Sequence, residues 1–147
     1  MYWVLAAAVL LLTQLVASAR FLSVDNVNLA FSLEYFDPLN HQPQPPGYPL
    51  FVLFARGVNY VIGFFGSVEH TFLLISVGTA ALCLPLMVGL GRRLFSAWGA
   101  KAAVLLLLVN PVFWQSVATS PLRPFLAVFS LLSAYAAWRC WNSGSAE

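Results

Sequence analysis

Residues 25–49, DNVNLAFSLEYFDPLNHQPQPPGYP, form the one long polar interruption in a chain otherwise built to sit in lipid. The stretch holds three of the five acidic residues, one of the two histidines and five of the nine prolines, so a reading of the chemistry starts there. Its first part has a helical pattern. Ser23 or Asp25 can cap it, and Val24, Val27, Phe31 and Tyr35 recur at a spacing of three to four and form one apolar stripe, which predicts a helix along the membrane surface with its polar face toward water. Asp25, Asn28 and Ser32 fall on another face. Pro38 stops the helix, and the proline-rich remainder is stiff and extended, holding His41, Gln42 and Gln44 in fixed directions.

Working outward, the flanks are membrane-like. Of all residues 61% are hydrophobic and 8% charged, against roughly a quarter charged in a soluble domain. The length accommodates about four spans of ~20 residues and one substantial loop. A net charge of +2, scattered along the chain, does not point to nucleic acid. Cys83 and Cys140 lie in or beside apolar runs and read as buried thiols, and no metal-ligand spacing occurs.

Residues 1–19 read as a first transmembrane helix. Ala17-Ser18-Ala19 imitates a cleavage site, but no basic leader precedes the apolar run. Residues 20–69 form an external loop with amphipathic surface helices at about 24–37 and 48–65. The second is kept out of the bilayer because a mid-bilayer Arg56 would cost at least ~3 kcal/mol; its long side chain reaches the headgroups or the polar loop instead. Phe51, Phe54, Val58 and Ile62 are its expected buried stripe. Residues 70–91 make a second span, 92–101 a cytoplasmic turn and 102–118 a third span. An external turn at 119–124, a fourth span at 125–141 and a cytoplasmic tail at 142–147 complete the chain. The expected fold is thus all-α and integral to the membrane, with about four transmembrane helices and both termini inside. This topology puts Arg92, Arg93, Lys101 and Arg139 on the cytoplasmic side, and Asp25, Glu34, Asp37 and Glu69 outside.

It also brings the long loop and the 119–124 turn to one outer face. A carboxylate and a guanidinium meeting there suit a reaction in which a base activates a hydroxyl and a cation holds a phosphate. Asp25 is the candidate base, and Arg123 or Arg56 the candidate phosphate ligand. Asn28 shares a face with Asp25, and Asp37, His41, Gln42 and Gln44 are gathered in the same loop, so all are candidate substrate contacts. Each has a plainer reading beside it: a helix cap for Asp25, an interfacial cation for Arg123, solvated polar residues for Asp37 and His41.

The motifs DNVNLA at 25–30, EYFD at 34–37 and HQPQPPGYP at 41–49, after an apolar first helix, resemble the amino-terminal part of a bacterial GT-C glycosyltransferase. The likeness is to the branch related to protein mannosyltransferases and lipid A aminoarabinose transferases. GRRLF at 91–95, before an alanine- and leucine-rich helix ending at Asn110-Pro111, fits the next part of that pattern. The resemblance implies transfer of a sugar from a polyprenyl-phosphate donor to a lipid, glycan or protein acceptor, on the outer face of a bacterial plasma membrane and without a cofactor. It implies that Asp25 is the catalytic base and that His41, Gln42 and Gln44 contact sugar or phosphate. Such enzymes have eight or more spans, so this chain is expected to be an amino-terminal portion or to need a second polypeptide for the missing helices. The alternative class is a non-catalytic scaffold or small transport subunit whose loop binds a partner.

Overall fold

A computed structural model describes residues 23–64 and 66–144. Within them the chain is all-α: α1 (Val24–Glu34), α2 (Pro49–Ile62), α3 (Val68–Leu94), α4 (Ala97–Val109), α5 (Pro111–Thr119) and α6 (Leu122–Gly144), with a 3₁₀ turn at Pro38–Asn40. The expected first span and its Ala17-Ser18-Ala19 end lie outside the described residues.

The start of α1 follows from Ser23, whose hydroxyl accepts the Asn26 amide at 3.3 Å, with Asp25 in the positive first turn. The helix stops at Glu34, earlier than the expected 37: Tyr35 is already extended, and Asp37, before Pro38, is kept out of helical conformation. The face that α1 packs against the rest of the protein is separate from its apolar stripe. Asn26, Leu29 and Ser32 point inward, whereas Val24, Phe31 and Tyr35 are 72%, 53% and 67% exposed. The reason is hydrogen bonding. The Asn26 side chain donates to the Thr119 carbonyl, and the Ser32 hydroxyl donates to the Leu29 carbonyl at 2.6 Å. In a chain this apolar, polar groups find their partners inside the protein.

Gly47 (φ 88°) and Tyr48 (φ 42°) turn the chain into α2, and Pro49 occupies its first position, where a missing N–H costs nothing. The inner face of α2 is Phe51, Val52 and Ala55, with Phe54 at 44% exposure rather than buried as expected. These residues meet Leu29 of α1, Phe72 and Ile75 of α3 and Phe125 of α6 in one core cluster. Phe51 anchors it, edge-on to Phe125 at 5.1 Å and to Phe72 at 6.2 Å.

Val68–Leu94 is the one helix among the described residues that is long and apolar enough to cross a membrane. At 27 residues it extends about 40 Å, and Pro85 sits inside it without ending it. It runs on through Arg92 and Arg93, so the expected turn at 92–101 shrinks to Phe95-Ser96, and the basic residues stand on helix ends. The expected single span at 102–118 is a bent pair, α4 and α5, with a 62° change of direction. Asn110 and Pro111 cause the break: the Asn110 side chain accepts the Val112 amide at 2.9 Å, and proline has no N–H to continue the helix. Trp114 Nε1 then donates at 2.6 Å to the Leu108 carbonyl left open at the end of α4.

Contacts show that the pair runs antiparallel along α3. Gly91 faces Ala100, Leu84 and Val88 pack on Val104, and Val77 and Ala80 pack on Val117. The Ser76 hydroxyl closes the register at 2.5 Å from the Val117 carbonyl. Taken as one span, the pair makes a second crossing helix by length and apolarity. Leu122–Gly144 is long enough at 23 residues but falls short in apolarity, since it carries Arg123, Arg139 and several serines. Of the three spans expected among the described residues, one helix, or two with the bent pair, is long and apolar enough to cross a membrane, so four spans are not supported.

Candidate functional site

The bond from Asn26 to the Thr119 carbonyl ties α1 to the end of α5 across 93 residues of sequence. That tie brings residue 25 beside the 119–123 turn. Between them lies a cavity of about 310 Å³, with Asp25 and Asn26 from α1, Gln44 from the proline-rich loop, and Ser120 and Arg123 from the turn and start of α6 on its walls. Pro43, Pro45 and Tyr48 form the stiff side, and Leu29, Leu122 and Leu126 the apolar floor. Pro43 is fully buried, so the loop wall is packed against the body of the molecule.

Asp25 and Arg123 are both exposed, and neither side chain has a hydrogen bond or ion pair to another described residue. Residues of opposite charge thus line one space without a side-chain partner among the described residues, an arrangement suited to holding a polar ligand between them. Arg123 also lines a second, largely apolar cavity of about 280 Å³ with Cys83, Leu107, Phe113 and Pro124. Arg123 thus stands between a cavity of mixed polar and apolar lining and an apolar one.

Of the eight candidate residues, Asp25, Gln44 and Arg123 meet in the cavity; Asn28, Asp37, His41, Gln42 and Arg56 do not line it. The Asp37 carboxylate is occupied within its own loop. It accepts the amides of Leu39 and Asn40 at 3.1 and 3.3 Å and the Asn40 side chain at 2.6 Å. Its backbone pairs with Gln42 through bonds of 2.6 and 2.8 Å, so Asp37 and Gln42 clasp the loop closed. His41 is exposed at the tip of that clasp in a left-handed conformation (φ 59°). Asn28 is half-buried on α1.

Arg56 performs a different task. Its Nη2 donates to the Ser32 carbonyl at 2.8 Å and to the Glu34 carbonyl at 3.5 Å, placing a cation at the C-terminal end of α1, which has no basic residue in its own last turn. The contact joins α2 to α1 and explains how an arginine is accommodated in an apolar helix. Of the two candidate phosphate ligands, only Arg123 lies in the cavity.

Sequence reasoning missed Asn26, Ser120 and Tyr48. Asn26 sits in the quoted DNVNLA motif, but its inward direction contradicts the apolar periodicity. Ser120 belongs to the turn already singled out, while Tyr48 is marked only by its place between Gly47 and Pro49. Comparison with known proteins adds no relative: no protein-family model, curated protein or solved structure matches the chain.

Proposed function

We propose that the chain is a membrane-embedded sugar transferase of the GT-C type, or the amino-terminal part of one, working on a polyprenyl-phosphate-linked donor at the outer face of a bacterial plasma membrane. One observation carries the reading: Asp25 and Arg123, distant in sequence and without a side-chain partner among the described residues, line the same cavity, and Arg123 also lines an apolar one. A cation beside apolar surface suits a phosphate carried on a lipid, and a carboxylate in the same cavity suits a base for the acceptor hydroxyl.

In this reading α3, the α4–α5 pair and α6 cross the bilayer, and α1, α2 and the proline-rich loop lie outside it. The donor phosphate rests on Arg123, with its apolar chain leading away along the second cavity, and the sugar occupies the space by Gln44 and Ser120. The acceptor hydroxyl gives its proton to the Asp25 carboxylate as its oxygen attacks the anomeric carbon. The bond from that carbon to the phosphate oxygen breaks, and polyprenyl phosphate leaves with the electron pair, its added charge met by Arg123. Attack from the face opposite the leaving group inverts the anomeric centre.

The test is transfer from radiolabelled polyprenyl-phosphate sugars in membranes containing the chain and whatever polypeptide completes the assembly. Asp25→Asn is expected to lower transfer by at least ~100-fold while the protein stays in the membrane fraction. Transfer at the wild-type rate would remove Asp25 as the base and leave the cavity as a binding site, as the scaffold reading has it.

A further inference from the structure

The end of the bundle away from the cavity is chemically its opposite. The carboxylates among the described residues, Asp25, Glu34, Asp37 and Glu69, belong to α1, the loop after it and the first turn of α3. At the other end, Arg92 and Arg93 close α3, Lys101 stands near the start of α4, and Arg139 lies near the end of α6. No carboxylate among the described residues pairs with these four cations.

They are interleaved with aromatic rings. The Arg93 guanidinium lies 5.1 Å from the centre of the Tyr135 ring and 4.8 Å from that of Trp138, which draws α3 and α6 together. The Lys101 ammonium lies 5.1 Å from the Trp98 ring. A guanidinium held over ring faces still presents its N–H edge outward, oriented at little entropic cost. Trp98 and Trp141 are 80% and 81% exposed, an unfavourable disposition in water and a favoured one at the boundary between headgroups and acyl chains.

We propose that this basic, aromatic end binds the headgroups of anionic phospholipids, the phosphodiester resting on the Arg92, Arg93, Lys101 and Arg139 cations and the indoles seated among the glycerol backbones. Exposed indoles beside the cations, on helices that continue into apolar stretches, favour a lipid over a soluble polyanion. The proposal rests on the membrane placement above but not on sugar transfer. Seated on anionic lipid, this end fixes the tilt and depth of α3 and α6, and through them the height at which the cavity meets the opposite face.

The test is native mass spectrometry of the full chain released from detergent micelles containing equal amounts of phosphatidylglycerol and phosphatidylcholine. The wild type is expected to retain phosphatidylglycerol in preference. Because each Lys or Arg near an anionic surface contributes about 1 kcal/mol, retention should fall roughly fivefold for each charge removed in Arg93→Gln and Lys101→Gln, and hold in Arg93→Lys. Lys101→Gln, at an exposed position, carries the test alone if changes at Arg93 prevent folding. Equal retention of the two lipids, or an undiminished preference in the glutamine variants, overturns the proposal. So does a wild type that prefers neither lipid yet binds heparin, which would assign the patch to a soluble polyanion. Alkaline carbonate extraction separates the two failures: release from membranes sinks the membrane placement itself, whereas retention without lipid preference sinks this inference alone.

Discussion

Asn26 decides where Asp25 stands. A buried primary amide is costly unless bonded, and this one donates to a carbonyl 93 residues further along the chain. Asn26→Ala strands the Thr119 carbonyl and is expected to cost about 1–3 kcal/mol, read as a lowered melting temperature in detergent. Transfer should weaken along with it, because the carboxylate loses its fixed distance from the 119–123 turn. Arg56 and Arg123 make the complementary comparison. Arg56→Met removes the cation at the end of α1 and should lose about 1–3 kcal/mol of stability, with transfer by the folded fraction kept within several-fold. Arg123→Gln, at an exposed side chain without a partner among the described residues, should do the reverse. Before the fold is known these two arginines look alike, each being a cation near a polar loop. What separates them is whether a carbonyl already occupies the guanidinium, and spacing does not encode that. Phe125 follows the same logic from the apolar side: it packs against Phe51, Phe54 and Phe129, filling the core beneath the cavity.

Among the elements, the helices were legible where composition and breakers agree. The long apolar α3 and the short α2 after Gly47-Tyr48-Pro49 are marked in the residues, whereas the break at Asn110-Pro111 falls inside what reads as one span over 102–118. The facing of α1 was not, because its inward side is chosen by the hydrogen bonds of Asn26 and Ser32 and not by apolar periodicity. The basic turn was misjudged for a related reason: arginine and lysine complement a helix end as readily as they fill a loop, and α3 continues through both arginines. The α3–α4 hairpin depends on Gly91, where an added Cβ would come within 3.0 Å of the Ala100 Cβ and 3.1 Å of its Cα. Gly91→Leu should force the helices apart and cost about 1–3 kcal/mol, seen as a lower melting temperature and faster proteolysis at Phe95-Ser96.

At the scale of the molecule, a chain with few charges has sorted them by position. Its described carboxylates share an end with the cavity, most of its cations occupy the other end, and apolar helices run between. Two segments far apart in sequence, α1 with its proline-rich loop and the turn before α6, become one site because α3 and the bent pair hold them at the same height. The account depends on that convergence. Its most direct measurement is cross-linking of Asp25→Cys to Arg123→Cys with a short bis-maleimide in a chain carrying Cys83→Ala and Cys140→Ala, followed by mass spectrometry of the digested protein. A linked pair of peptides holding positions 25 and 123 is the predicted product. Two cysteines that each react with maleimide but are never joined within one molecule would contradict the shared cavity, and with it the assignment of a base and a phosphate ligand to a single site.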